Sequence, residues 1–352
     1  MKNKEEAQRR VDRIQAFREE LNDLEEQKVL RLSPEQKDSA RNFHKTLIAD
    51  LTRQFDTDLT EAEKKLTGGM KVLTFLGGTA LCSSVFFFFY RMWGLIPVPA
   101  QIVLLVGAPI LSLLLMEFFA KREKTLYYAT LAGMLAFLCF VLNLTVLGSI
   151  FNIAPSPNAF LAWGLLAVII AYNKSQRLLL TVGLLCILGY LAAKLGSIGG
   201  VFWFACFERP ENFILAGGIM IALPVAVKRL GVMGFACIYH LIGLLSMFIS
   251  ILVLSYFGNF SYLDINEAII EGGYQLAGFI LSGLTIWIGI RNKLGGVQNI
   301  GVTFFTLYLY MKFFDWWWEL LPIYLFFLLV SLITIGLLAL FKRLRANMRE
   351  AI

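Results

Sequence analysis

The chain has 352 residues, of which 58% are hydrophobic and only 16% are charged, and its mean hydropathy is +0.68. Water-soluble domains usually carry about 25% charged residues, so this composition excludes an ordinary soluble protein and indicates an integral membrane protein in contact with a lipid bilayer. The net charge of +7 arises after residue 71, because residues 1–71 hold fifteen basic and fifteen acidic side chains; we interpret it as the positive-inside bias of a membrane domain and expect no nucleic-acid partner.

The first 70 residues predict a small cytoplasmic helical module. Ser33-Pro34-Glu35-Gln36 is typical of a capping box at a helix start, and Thr60–Glu63 predicts another just before the membrane. One interpretation is that residues 1–66 bind a cytoplasmic protein partner or associate with another copy of the chain. The other is that the module is a helical hairpin that buries its own apolar stripe. The stripe recurs at steps of three and four, with Val11, Ile14, Phe17, Leu21 and Leu24 on a first helix and Phe43, Leu47, Leu51 and Phe55 on a second.

Residues 71–352 predict an all-α, polytopic transmembrane bundle of about ten helices. A hydrocarbon core about 30 Å thick needs about 20 apolar residues per helix. The fourth and sixth stretches are short, so eight or nine spans stay open. The candidate spans are residues 72–90, 98–119, 125–151, 159–173, 178–196, 213–227, 231–257, 270–290, 298–314 and 321–341.

The basic residues favour ten spans with both termini in the cytoplasm. Of the 32 basic residues, fifteen precede residue 72, and thirteen of the remaining 17 fall on the inner side if the first span runs outward. The outer side is acidic, which indicates either polar loops without lysine or a mouth that attracts cations or amines. Its acidic residues are Glu208, Glu211, Asp264, Glu267, Glu271, Asp315 and Glu319.

The stretch MKFFDWWWELLP, residues 311–322, gathers charge and tryptophan between two apolar spans. Tyr308, Lys312, Asp315 and Glu319 follow one another at steps of four, three and four, so they share one helix face. One interpretation is a lipid–water boundary with an aromatic belt, where Lys312 pairs with Asp315. The other is a substrate- or proton-binding group that faces the interior of the bundle.

Two of the polar residues inside predicted spans complete the candidate site. They are Asn143 in the third span and His240 in the seventh. For each, a hydrogen bond between helices is the alternative to a functional role, although histidine titrates near neutral pH. Pro109 is expected to free a backbone carbonyl in its span. Small residues four apart predict close helix contacts at Gly278/Ser282 and Gly218/Ala222.

Several chemistries have no signature in the sequence. It contains no G-x-x-x-x-G-K-[ST], H-E-x-x-H or G-x-S-x-G motif. Its five cysteines have no paired spacing and are interpreted as packing residues. We therefore expect no catalytic residue, no metal and no cofactor, and an intramembrane enzyme is the least favoured function class.

Three stretches resemble a family of multi-spanning bacterial membrane proteins that is catalogued as a domain of unknown function. They are residues 21–36, with the Leu-Ser-x-Glu-Gln-type helix start, residues 141–179 around a central loop, and residues 299–345, with an Asn-x-Gly opening and a basic tail. The resemblance implies a bacterial inner-membrane protein with no established activity. The residues leave two functions open: a transporter or permease for a small or amphiphilic solute, and a membrane-embedded scaffold or sensor whose amino-terminal helices bind a cytoplasmic partner.

Overall fold

The computed structural model describes residues 4–55, 58–59, 61–122, 126–200, 202–227, 234–292, 294–318 and 320–350. Within these ranges the backbone forms twelve α-helices, short 3-10 turns and loops, and no strand, which confirms the all-α class. The helices are α1 (Lys4–Glu26), α2 (Pro34–Phe55), α3 (Glu61–Met92), α4 (Val98–Arg122), α5 (Tyr127–Ile150), α6 (Asn158–Lys174), α7 (Arg177–Ile198), α8 (Glu211–Ala226), α9 (Ala236–Leu254), α10 (Glu267–Arg291), α11 (Gly295–Trp317) and α12 (Ile323–Glu350).

Over the residues that the structure describes, each of the ten apolar stretches of the sequence corresponds to one helix, from α3 to α12. Six helical segments in the described part of the chain are long and apolar enough to cross a membrane. The apolar helices Asn158–Lys174 and Glu211–Ala226 and the apolar part of α12, Ile323–Gly336, are shorter. The structure thus supports several membrane-spanning helices, and the count of ten stays a prediction. The six segments are Lys65–Leu95, Val98–Arg122, Tyr127–Ile150, Arg177–Ile198, Ala236–Leu254 and Glu267–Arg291.

The chain divides into two compact units, Met1–Gly183 and Leu184–Ile352, and α7 contributes to both. The predicted boundary at residue 70 lies inside α3, which runs unbroken from a charged first turn into the first apolar span. The division into a 1–70 module and a 71–352 transmembrane domain stays a prediction.

In the first unit, α1 and α2 pack through part of the predicted stripe. Ala7, Val11 and Leu51 form a buried cluster against Leu47. The capping box at the start of α2 is confirmed, because the Ser33 N–H donates to Gln36 Oε1 and the Gln36 N–H donates to Ser33 Oγ, both at 3.2 Å. The second predicted box includes Thr60, which lies outside the described residues. Two aromatic residues of the stripe stay open to solvent, since Phe17 is 51% and Phe43 is 62% exposed.

In the second unit, α8 and α9 approach until their backbones touch. A Cβ atom on Gly217 would lie 2.6 Å from the Gly243 carbonyl oxygen, and one on Gly243 would lie 2.7 Å from the Gly217 oxygen. The predicted contact at Gly218/Ala222 is wrong: a Cβ on Gly218 would meet nothing within 4 Å, and Ala222 is exposed. Consecutive helical residues point about 100° apart, so the contact face is the one that carries Gly217.

Candidate functional site

Asn143 joins α5 to α4 in the first unit. Its Nδ2 donates to the Leu105 carbonyl oxygen at 2.8 Å. That oxygen would accept the backbone N–H of residue 109 in a regular helix, but residue 109 is Pro109, which has no N–H. The Asn143 amide therefore satisfies the carbonyl that the proline leaves open, so this candidate residue has a structural role.

Tyr308 fills a buried position between α9, α10 and α11. The residue is 3% exposed, and its hydroxyl donates to the Phe248 carbonyl oxygen at 3.0 Å. The ring lies against Gly278, where a Cβ would come within 2.6 Å of Tyr308 Cζ. A residue larger than glycine would not fit at position 278, because the tyrosine ring occupies the space of its side chain. This confirms the close contact predicted at Gly278/Ser282.

Lys312 lies one turn further along α11 and contacts a different set of groups. Its Nζ donates to Gln275 Oε1 at 2.6 Å, and Gln275 Nε2 donates to the Ser255 carbonyl oxygen at 3.0 Å. Ser255 ends α9 and is 1% exposed. The charge of Lys312 is thus connected through one amide to an open carbonyl at the end of α9, which links α11, α10 and α9.

Asp315 is exposed and accepts a hydrogen bond from the Tyr256 hydroxyl at 3.1 Å. Asp315 and Lys312 therefore bond to neighbouring helices or loops, and their pairing with each other stays a prediction. Glu319 lies outside the described residues.

The tryptophans of residues 311–322 flank this group. Trp317 is 39% and Trp318 is 43% exposed. Trp317 stacks on Phe313 with ring centroids 5.8 Å apart, and Trp318 stacks on Phe314 at 4.7 Å. Exposed, stacked indoles at a helix end are typical of a lipid–water boundary. The side chain of Trp316 lies outside the described part of the chain.

His240 lies near the other end of α9 and is half-buried. Along the helix axis it is about 22 Å from Ser255 at 1.5 Å per residue. The structure brings Tyr308, Lys312 and Asp315 together on α11 but does not bring His240 to them. Across the residues that the structure describes, no three His, Cys, Asp or Glu side chains are grouped as a metal site requires.

The loop between α9 and α10 is fastened to the start of α8. Arg209 Nη1 donates to the Ser261 carbonyl oxygen and, at 3.4 Å, to that of Asn259. The Tyr262 N–H donates to Glu211 Oε1 at 3.0 Å, and Asn212 Nδ2 donates to the Tyr262 hydroxyl at 2.9 Å. These bonds hold a 3-10 turn, Gly258–Phe260, beside α8 and α9.

Beneath this loop the second unit contains a cavity of about 660 Å³ that is open at the surface, since its lining residues Phe207 and Ile249 are exposed. It follows α9 from Ile242 to Val253, a length of about 16 Å. Its walls are mostly apolar, and the charged side chain among the described lining residues is Glu208. The lining residues are Leu185 and Leu188 of α7; Phe207, Glu208 and Pro210 before α8; Phe213 of α8; Ile242, Leu245, Ser246, Ile249, Ser250 and Val253 of α9; and Phe260 of the loop.

Sequence reasoning missed this cavity. An apolar residue on a membrane helix has the same pattern whether it faces lipid, another helix or an internal space. The acidic character of the predicted outer side included Glu208, but nothing in the spacing singled that residue out.

Neither the curated proteins nor the solved structures contain a match to this chain. A family model does match part of it, and the matched region includes residues 141–179 and the end of residues 21–36, while residues 299–345 lie outside it. Over residues 32–180 the chain matches the family described as "Predicted membrane protein (DUF2157)", which confirms the resemblance to a membrane family of unknown function.

Proposed function

We propose that this protein is an inner-membrane permease that binds an amphiphilic solute in the cavity of its second unit. The observation that carries the proposal is the apolar cavity of about 660 Å³, since small-molecule sites usually enclose about 300–1,000 Å³. The positive-inside count supports both termini in the cytoplasm.

The lining favours an amphiphile over a small polar solute. A polar group that enters an apolar cavity without a hydrogen-bond partner costs about 2–7 kcal/mol. The Ser246 hydroxyl already donates to the Phe213 carbonyl oxygen at 3.0 Å. The long wall along α9 therefore suits an apolar body, and Glu208 provides a polar end.

The test compares two tryptophan substitutions on α9. Ile249 lines the cavity and is 52% exposed, whereas Leu241 is 39% exposed and does not line it. Ile249→Trp should fill the space and reduce equilibrium binding of radiolabelled dodecylamine to the full chain in lipid nanodiscs at least tenfold. It should also reduce uptake of the same probe into proteoliposomes, and Leu241→Trp should change neither. Equal binding by all three proteins would exclude the permease proposal.

The second candidate function, a scaffold or sensor, is favoured by the open aromatic patch on α1 and α2. Phe17 and Phe43 flank His44, with ring centroids 5.6 and 5.9 Å from it. Burial, and then the positive charges of Arg18 and Arg10, lower the pKa of His44, so the imidazole between the two phenylalanine rings is uncharged at neutral pH. Exposed aromatic groups on a charged module are typical of a protein-binding surface.

A photo-crosslinking residue at position 43 tests this second function in cells. A cytoplasmic partner predicts one adduct of defined mass that is lost in Phe17→Ser, and the same probe at exposed Arg41 is the control. An adduct of twice the chain mass would assign the surface to self-association, and no adduct at position 43 would exclude the scaffold function.

A further inference from the structure

We propose that the cavity takes a single-chain amphiphile whose head is an ammonium group, with the ammonium bound beside Glu208. This inference rests on the proposed permease function and names its substrate class. It depends on the charge, the aromatic groups and the size of the cavity.

The charge at the loop end of the cavity is negative. Glu208 is the charged side chain among the described residues that line the space, and it is exposed. Glu211 lies in the first turn of α8, where its carboxylate offsets the positive end of the helix dipole. An ammonium head therefore meets a carboxylate at the point where the apolar walls end.

The nearest basic residue in sequence is engaged outside the cavity. Arg209 donates to the carbonyl oxygens of Asn259 and Ser261, and its guanidinium carbon lies 5.3 Å from the centroid of the Tyr262 ring. Arg209 is not among the residues that line the space. Its guanidinium therefore stabilises the loop and leaves the Glu208 carboxylate to an incoming cation.

Aromatic rings also line the cavity. Phe207, Phe213 and Phe260 all line it, and the rings of Phe207 and Phe213 lie 5.7 Å apart at an angle of 39°. The face of an aromatic ring attracts a cation, and the attraction grows as the site is desolvated. A carboxylate that shares the lining with three phenylalanines favours an alkylammonium, and its negative charge repels a sulfate or phosphate head.

The size of the cavity points to a solute with one alkyl chain. The wall along α9 is about 16 Å long, and the volume of about 660 Å³ lies within the range of sites for one small molecule. A membrane phospholipid has two chains, so we assign the site to a single-chain amine and not to a lipid of the bilayer.

The experiment measures head-group preference at constant chain length. The full chain is placed in phosphatidylcholine nanodiscs, and the Kd values of dodecyltrimethylammonium, dodecanol and dodecyl sulfate are determined, with empty discs as the blank. The expected result is at least tenfold tighter binding of the ammonium than of the alcohol, and no tighter binding of the sulfate. In Glu208→Gln the ratio of the alcohol Kd to the ammonium Kd should fall toward one. Glu267→Gln removes an exposed carboxylate that does not line the cavity, and it should keep the wild-type ratio.

Each failure has a separate meaning. If the three amphiphiles bind above the blank with equal Kd values, or if Glu208→Gln keeps the wild-type preference, the ammonium proposal is overturned while the cavity site stands. If none binds above the blank, the permease proposal falls with it. If phosphatidylethanolamine in the disc displaces the ammonium probe, the occupant is a bilayer lipid and the single-chain assignment is overturned.

Discussion

The backbone carbonyl group of Leu105 connects two residues that the sequence identified separately, Pro109 and Asn143. The sequence predicts that Pro109 frees a carbonyl and that Asn143 needs a hydrogen-bond partner, but it treats these as separate facts. The structure joins them, because the register of α4 against α5 places Asn143 Nδ2 2.8 Å from the Leu105 oxygen. A partner on another helix cannot be read from spacing along one helix.

We expect Asn143→Leu to destabilise the first unit through this carbonyl. The Leu105 oxygen would lose its partner, and an unsatisfied buried group costs about 1–3 kcal/mol, although single hydrogen bonds in membrane bundles average about 0.6 kcal/mol. Pro109→Ala restores a backbone N–H at residue 109, which can donate to the Leu105 carbonyl oxygen in a regular helix. The double variant Pro109→Ala with Asn143→Leu should therefore recover most of the loss.

Unfolding of the full chain in mixed detergent micelles measures this coupling. Thr145→Val is the matched control, because Thr145 Oγ1 donates to Val141 of its own helix and is exposed, so its stability should stay near wild type. Additive losses in the double variant would refute the assignment of Asn143 to the carbonyl freed by Pro109.

The contacts of Lys312 likewise depend on neighbouring elements. A step of three on one helix predicts that it pairs with Asp315, and this pairing stays a prediction. The structure adds a contact of Lys312 with the Gln275 amide of α10 and one of Asp315 with the hydroxyl of Tyr256. Both contacts cross between elements, so spacing along one helix could not predict them.

At the scale of elements, the pair α8 and α9 is held by glycine. The Gly217→Ala variant would place a Cβ 2.6 Å from the Gly243 carbonyl oxygen, which is a backbone atom and cannot rotate away. The two helices must then separate, so we expect lower stability and a loss of binding to the cavity that both helices line. The adjacent residue is the control: Gly218→Ala meets nothing within 4 Å and replaces glycine with a better helix former, a gain of up to about 1 kcal/mol.

Detergent melts of the two alanine variants, together with dodecylamine binding, check this prediction. The variants differ by one position and carry the same new methyl group, so general effects of the substitution cancel. A lower melting temperature for Gly218→Ala than for Gly217→Ala would contradict the glycine contact.

The helices themselves were largely predictable, and the reason is local. Length and hydropathy depend on residues near one another, so ten apolar stretches of the sequence correspond to helices α3–α12. The capping box at Ser33 and Gln36 is equally local and is confirmed. Which of Gly217 and Gly218 makes the contact depends instead on the rotation of α8 relative to α9. The spacing in the sequence predicted a contact at Gly218, and the structure has it at Gly217.

At the scale of the whole molecule, the cavity is the feature that the sequence could not show. Its walls come from α7, α8, α9 and a loop residue, Phe260. Each apolar wall residue satisfies the same pattern as a lipid-facing residue. The cavity exists because the packed helices and the loop leave space between them. Such a space depends on the packing of the whole unit and cannot be predicted from any one segment.

The membrane topology is the last prediction, and it depends on the short helices. If α6 crosses the bilayer, Ser156 and Ser175, which precede and follow it, lie on opposite sides; if α6 does not cross, they lie on the same side. Both residues are exposed, as are Asn259, Asn292 and Leu320 in later connections, so a cysteine at each is accessible to a reagent on its side.

In a Cys237→Ser background, which removes the exposed native thiol, a membrane-impermeant maleimide added to intact cells should label cysteines at positions 156, 259 and 320. It should label positions 175 and 292 only after the cells are opened, because ten spans with a cytoplasmic amino terminus place those connections inside. Equal labelling of positions 156 and 175 in intact cells would remove α6 from the spans, and labelling of position 292 would refute the ten-span topology.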